Sequence, residues 1–376
     1  MKYYIIAGEA SGDLHASNLM KEIKANDPAA NFRCWGGDLM SAQGGVLVKH
    51  YKELAFMGFW EVATHLSAIL KNLKDCKKDL LSFAPHVLIL VDYPGFNMRI
   101  AQFAKKNGIK VVYYISPQVW AWKTRRIHQI KRDVERMITI LPFEKPFYAK
   151  YHYNADYVGH PLLDAVDIHL SENEEVRSFR QRHHLNEKPI IAILPGSRKQ
   201  ELVKIMPLML EVMDNFPDYQ FVMSQVTWLP KELYHSLIKD KKVTLVQNET
   251  YALLLNAEAA MVTSGTATLE TAILGTRQVV CYKTSTVSYH IAKSVAKDVI
   301  KYISLVNLIL DKPAVTELIQ NDLNKERLTN ELQKILYDES AIAQMQSDYS
   351  RLLDVLGNRG ASKRAAAIVE MVAKNS

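Results

Sequence analysis

Residues 262–275 read Val262-Thr263-Ser264-Gly265-Thr266-Ala267-Thr268-Leu269-Glu270-Thr271-Ala272-Ile273-Leu274-Gly275. The apolar segment leading into them, from residue 257, has the length and character of a buried strand. Small and hydroxyl residues then make a turn, and Leu269, Ala272 and Ile273 return at helical spacing. A strand–turn–helix unit aims free backbone N–H groups and the positive end of a helix dipole into its turn. Gly265 admits an anion close to the backbone, and Ser264 and Thr266 add hydroxyl donors. Glu270 does not fit phosphate, which it would repel; it fits neutral hydroxyl groups such as those of a ribose. Taken alone, the stretch also reads as an ordinary helix with a serine cap.

The same unit recurs along the chain. Residues 2–7 form a short apolar strand, followed by Gly8-Glu9-Ala10-Ser11-Gly12-Asp13 and a helical segment to about Ala25. Such a start signals a doubly wound α/β domain. The glycine spacing is not Gly-x-Gly-x-x-Gly, and Glu9 and Asp13 make the turn acidic, which disfavours a dinucleotide. Residues 87–91 are five apolar residues of a central parallel strand, with Asp92 at the carboxyl end, the edge where open α/β sheets bind ligands. Asp92 can serve as a general base toward a sugar hydroxyl, or merely cap a helix expected over 97–106. The pattern restarts near Ser171. An apolar strand at 189–194 leads into Pro195-Gly196-Ser197-Arg198 and a helix from Glu201. There Gly196 and Ser197 offer backbone donors and Arg198 a bidentate cation, a candidate phosphate cradle. Further strands are expected at 32–35, 46–48, 110–115, 137–141, 219–224, 243–247 and 278–281, and the C-terminal part is helical. Gly357-Asn358-Arg359-Gly360 interrupts it before a last amphipathic helix.

With 376 residues, two domains are the default. The boundaries fall at 1–165 and 166–356, and a C-terminal helix over 360–376 either packs back on the first domain or exchanges with a second subunit in a homodimer. Cys34, Cys76 and Cys281 are far apart, which fits a reducing cytoplasm and neither a disulfide framework nor a zinc site. No apolar run approaches the roughly 18 residues needed to span a bilayer. The formal charge of +7 suits phosphorylated substrates, anionic lipid or nucleic acid alike. Residues 57–83 read as a long helix whose stripe of Val62, Leu66, Ile69, Leu70, Leu73 and Leu80 faces a core. Phe59 and Trp60 at its entrance, with Lys71, Lys74, Lys77 and Lys78 behind, also suit an anionic membrane surface. Trp120 and Trp122, followed by Arg125, Arg126, Lys131 and Arg132, make a basic patch with aromatic company.

Two doubly wound domains with polar turns at their strand ends point to a GT-B fold, with two Rossmann-like parallel-sheet domains expected to face across a cleft. The resemblance goes further than the fold. Residues 8–13, 92–97 (Asp-Tyr-Pro-Gly-Phe-Asn), 116–122 (Ser-Pro-Gln-Val-Trp-Ala-Trp), 141–144 (Leu-Pro-Phe-Glu), 158–161 (Val-Gly-His-Pro), 194–198, 264–270 and 304–310 follow the order and spacing of the lipid-A-disaccharide synthase family. Together they span nearly the whole chain.

That resemblance implies an inverting transfer of 2,3-diacylglucosamine from its UDP derivative to 2,3-diacylglucosamine 1-phosphate (lipid X), releasing UDP. It implies a peripheral enzyme on the cytoplasmic side of the inner membrane of a Gram-negative bacterium, with no cofactor, metal or nucleic acid. By motif, Asp92 resembles the general base. Gly196, Ser197, Arg198, Ser264, Gly265 and Thr266 resemble the diphosphate site, with Glu270 on the ribose and Asn307 near the donor. Glu9, Ser11 and Asp13 fall on the acceptor side, and Phe59, Trp60, Val62, Leu66, Ile69 and Leu70 in a membrane-facing region. Gly95 departs from the family, many of whose members carry an acid there. Competing readings are another UDP-sugar enzyme of this fold, such as a peptidoglycan-type N-acetylglucosaminyltransferase or a UDP-sugar 2-epimerase, and a basic module for single-stranded nucleic acid.

Overall fold

A computed structural model of the chain describes residues 1–54, 66–122, 126–171, 173–285 and 301–375. These divide into two compact units, Met1–Pro161 with Asn358–Ser376, and Leu162–Gly357.

The first unit is built on seven parallel strands: β1 (Lys2–Ala7), β2 (Asn31–Gly36), β3 (Val46–His50), β4 (Val87–Val91), β5 (Lys110–Tyr114), β6 (Arg136–Thr139) and β7 (Ala155–Tyr157). Their spatial order is β3-β2-β1-β4-β5-β6-β7. Side chains of β1 alternate between two cores. Tyr3, Ile5 and Ala7 meet the Ala10–Asn26 and Ala361–Lys374 helices, through Ala16, Leu19, Ala365 and Val369. Tyr4 and Ile6 meet the Leu66–Phe83, Pro94–Lys106 and Arg126–Asp133 helices, through Leu80, Ile100, Ala104 and Ile130. With both faces covered, β1 and β4 lack polar alternation, which is why they read as uniform apolar runs.

The second unit repeats this plan with β8 (Ile190–Leu194), β9 (Gln220–Gln225), β10 (Val243–Gln247), β11 (Ala257–Thr263), β12 (Arg277–Tyr282) and β13 (Thr316–Ile319). The order is β10-β9-β8-β11-β12-β13, again all parallel. Each sheet therefore reverses its winding once, between β1 and β4 and between β8 and β11. Such a switch point opens a crevice at the carboxyl ends of the two flanking strands. The register puts Ala7 level with Val91 and Leu194 level with Val262. Turns 8–9 and 92–93 thus lie side by side in one unit, and turns 195–198 and 264–265 in the other.

Several boundaries differ from those read in the sequence. The helix expected from Asn97 begins at Pro94, because proline's fixed φ and missing N–H suit the first helical position. The helix expected from Glu201 begins at Lys199. The edge strands β7 and β13 are absent from the sequence reading, being three and four residues long and partly polar. The Ala361–Lys374 helix lies on the Ala10–Asn26 helix of its own chain, where Asn26 Nδ2 donates to Glu370 Oε1 at 2.9 Å and Arg364 Nε to the Val158 carbonyl at 2.8 Å.

Candidate active site

Asp92 follows the last residue of β4 in a left-handed conformation, φ 44°, and Tyr93 repeats it at 48°. Two consecutive non-glycine residues in this region are strained and persist only where neighbours hold them. The carbonyl of Asp92 accepts from Tyr113 Oη at 2.6 Å and Asn97 Nδ2 at 2.7 Å, and its N–H donates to the Tyr114 carbonyl at 3.1 Å. Asn97, fully buried, also donates to the Val91 carbonyl at 3.3 Å. The Tyr93 ring lies on Gly8, where a Cβ would stand 2.3 Å from Tyr93 Cγ. Glycine is needed there so that the two turns can touch. With its backbone fixed this way, the Asp92 carboxyl is half-buried beside Glu9. Burial first, and then the charge of Glu9, raise it from 3.8 to about 6. A carboxylate tuned close to neutral pH is suited to accept a proton during reaction.

The remaining residues of the first turn separate into two groups. Glu9, close enough to Asp92 for its charge to act on it, is half-buried, and Ser11 is exposed, so both stay accessible. Asp13, expected beside them on the acceptor side, is buried. Its carboxylate accepts from the N–H groups of Gly37 at 2.8 Å, Leu39 at 3.1 Å and Met40 at 3.2 Å. It holds the N-terminus of the Asp38–Ala42 helix, and this architectural work removes it from the accessible surface.

In the second unit the two polar turns differ. Gly265 starts the Thr266–Ile273 helix with no side-chain cap among the described residues, and Gly265 and Thr266 are exposed. The Ser264 hydroxyl, expected as a ligand donor, is directed inward to the Ile303 carbonyl at 2.9 Å. Glu270 is half-buried, and burial pushes its carboxyl above the usual range. Tyr251 Oη donates to its Oε1 at 3.0 Å. The β8 turn is closed on itself. The N–H groups of Ser197 and Arg198 both reach Glu201 Oε2, at 3.2 and 3.3 Å. Arg198 itself is exposed, with its guanidinium 3.6 Å from Glu201 Oε1. Trp228, in the loop after β9 and 63% exposed, donates its indole N–H to the Ser197 carbonyl at 2.9 Å. In the sequence Glu201 reads only as a helix start, in keeping with an acid three residues after Arg198, and Trp228 carries no local signal of a place beside this turn.

Asn307, expected near the donor, is buried. Its Oδ1 accepts from Val315 N at 2.9 Å, and its Nδ2 donates to the Val315 carbonyl at 2.8 Å and to Glu317 Oε1 at 2.9 Å. Glu317, from β13, also accepts from Ile303 N, Ser304 N and Ser304 Oγ. Asn307 therefore secures the segment that supports Ser264. Of the expected membrane-facing residues, Phe59, Trp60 and Val62 lie outside the described residues. Leu66 opens the Leu66–Phe83 helix, Ile69 packs on the core and Leu70 is 56% exposed. Among the described residues no helix is long and apolar enough to cross a membrane, and no group of three or more His, Cys, Asp or Glu is placed to hold a metal.

Residues 3–372 match the family described as lipid-A-disaccharide synthetase. The chain belongs to the lipid-A-disaccharide synthase family. A member from Syntrophus aciditrophicus is 39% identical over 99% of this chain and 98% of its own length. As a member of this family, the chain is a glycosyltransferase of lipid A biosynthesis. Among solved structures, the UDP-GlcNAc 2-epimerase of Neisseria meningitidis bound to UDP-GlcNAc is 12% identical with a TM-score of 0.69, covering all of both chains. The glycotransferase of kitacinnamycin is 13% identical with a TM-score of 0.65, covering 99% of this chain and 98% of its own. At such identities these two share the GT-B fold alone, and the fold does not separate a transferase from an epimerase. Family membership does.

Two lipid-A-disaccharide synthase motifs of the first unit turn out to serve one structural purpose. Glu144 is fully buried, its Oε2 accepting from Leu141 N at 3.0 Å, and burial lifts its carboxyl to about 8. It joins the 141–144 turn to Ser116, whose hydroxyl meets Tyr148 Oη at 2.7 Å. The Trp120 ring packs edge-on against Phe143, 5.0 Å between centroids. Arg132 is paired with Asp133, and Lys131 donates to the Tyr151 carbonyl, so part of the basic patch is engaged within the protein.

Proposed function

We propose that this glycosyltransferase moves 2,3-diacylglucosamine from its UDP derivative to the 6-hydroxyl of 2,3-diacylglucosamine 1-phosphate. The product is a β-1′,6-linked disaccharide 1-phosphate, with UDP as leaving group. Asp92 takes the proton of the 6-hydroxyl, whose oxygen attacks the anomeric carbon. The bond from that carbon to the diphosphate breaks, and its electron pair leaves on UDP. A single displacement inverts the anomeric centre and needs one base and no covalent nucleophile. Charge accumulating on the diphosphate is met by Arg198 and by the N–H groups at Gly265 and Thr266, the start of a helix that no side chain among the described residues caps. Glu270, oriented by Tyr251, accepts from the ribose hydroxyls, while Glu9 and Ser11 border the acceptor.

The observation that carries this reading is Asp92, a carboxylate at a topological switch point, held in a strained turn and tuned to about 6. The enzyme works at the cytoplasmic face of the inner membrane as a peripheral protein. Leu70 supports this, exposed on a helix that also exposes Lys71, Lys74 and Lys78. The test is mass spectrometry of the product formed from UDP-diacylglucosamine and diacylglucosamine 1-phosphate. A diacylglucosamine disaccharide 1-phosphate with stoichiometric UDP supports the reading. Epimerised UDP-sugar, or no product, overturns it.

A further inference from the structure

The loop after β8 has its own groups satisfied from within. One oxygen of Glu201 accepts from both Ser197 N and Arg198 N, its other oxygen lies 3.6 Å from the Arg198 guanidinium, and the Ser197 carbonyl accepts from Trp228. A phosphate oxygen docking in this loop would seek the same two amides and the same guanidinium. We propose that Glu201 is an internal anion occupying the diphosphate-binding groups of the nucleotide-free protein, to be displaced by the donor and to return as UDP leaves. The inference rests on the donor reading of the second unit given above.

Two features favour displacement over a permanent cap, and a third shows how the loop accommodates the carboxylate. The two amide contacts, at 3.2 and 3.3 Å, sit at or beyond the long end of the N–H···O range, whereas charge-assisted contacts to a phosphate shorten to about 2.8 Å. Arg198 is only loosely engaged, and its exposed side chain is free to turn toward a ligand. Gly196 takes φ 104°, and a Cβ there would stand 2.6 Å from Glu201 Oε2, so the glycine lets the carboxylate lie against the loop. At the β11 turn no side chain among the described residues plays this part: its helix starts at Gly265 without a side-chain cap from any of them. One of the two turns thus receives a diphosphate directly, and the other only after an exchange of anions. Glu201 therefore weakens nucleotide binding and hastens release of the product.

The experiment is calorimetric titration of the full chain with UDP, inorganic pyrophosphate and uridine, for the wild type, Glu201→Gln and Glu201→Ala. Glutamine keeps an acceptor for the amides and removes the charge, so it preserves the helix start if alanine destabilises it. Glu201→Gln is expected to bind UDP and pyrophosphate about tenfold more tightly, the change when one charge-assisted contact ceases to compete, with uridine unaffected. Unchanged or weaker UDP binding by folded Glu201→Gln overturns the internal anion while leaving the donor site standing, as does an equal gain for uridine. A wild type that binds neither UDP nor pyrophosphate overturns both.

Discussion

Replacing Asp92 by asparagine separates what this residue does for turnover from what it costs the fold. The carboxyl stands at about 6 in the folded protein against an ordinary 3.8, a preference for the neutral form worth about 3 kcal/mol. Between these two values the folded chain keeps a proton that the unfolded chain has released. Stability contributed by this group therefore falls as pH rises through that window, is lowest above about 6, and is unaffected below about 4. Asparagine imitates the neutral form and tolerates the left-handed backbone as well as aspartate does. Because the side chain is partly exposed, solvent lowers the gain, and Asp92→Asn is expected to stabilise the protein by about 1–3 kcal/mol at pH 7 and by nothing at pH 4. Its turnover is expected to fall by about 10²-fold or more, the usual worth of a general base. In the wild type, kcat/KM is expected to drop about tenfold per pH unit below 6. Urea denaturation of both proteins at the two pH values, beside a pH–rate profile, measures all three. Equal stability at pH 7, or turnover retained by the variant, would refute the reasoning.

Other consequences concern the second unit and the helix surface. Arg198→Ala should weaken UDP binding about tenfold while changing stability by less than about 0.5 kcal/mol, since the side chain is exposed and held only at 3.6 Å by Glu201; an unaltered dissociation constant argues against the cradle. Asn307→Ala removes three internal hydrogen bonds and should cost about 2–4 kcal/mol in denaturant unfolding, before any effect on UDP is seen in the protein that remains folded. If stability is kept and UDP affinity lost, Asn307 is a ligand after all. Leu70→Ser, at a side chain 56% exposed, should reduce sedimentation with anionic liposomes and leave the melting temperature within about 2 °C. Adding Phe59→Ser and Trp60→Ser should deepen that loss, and binding that persists in the triple variant removes the membrane role of this helix.

The sequence alone determined those features that depend on local order: the apolar runs that become β1, β4, β8 and β11, the turns that follow them, and the helix starts within a few residues. Both faces of a parallel sheet are buried, so its central strands announce themselves as unbroken apolar segments, whereas β7 and β13, short edge strands, do not. Position at a strand's carboxyl end was legible too, which is how Asp92, Arg198 and Gly265 could be singled out. What the sequence could not reveal is which polar side chains the fold satisfies internally. Asp13 and Glu9 are four residues apart in one turn, yet Asp13 is taken by three N–H groups from residues 37–40 and Glu9 is left beside Asp92. Asn307 and Ser264 carry polar groups that the sequence leaves open, and Glu317 of β13, Val315 just before it and Ile303 ahead of the Leu305–Leu310 helix are what the fold brings to them. Hydrogen-bonding capacity is a property of the residue, but whether it is left over for a substrate is settled by partners far away in the chain, and only tertiary structure supplies those.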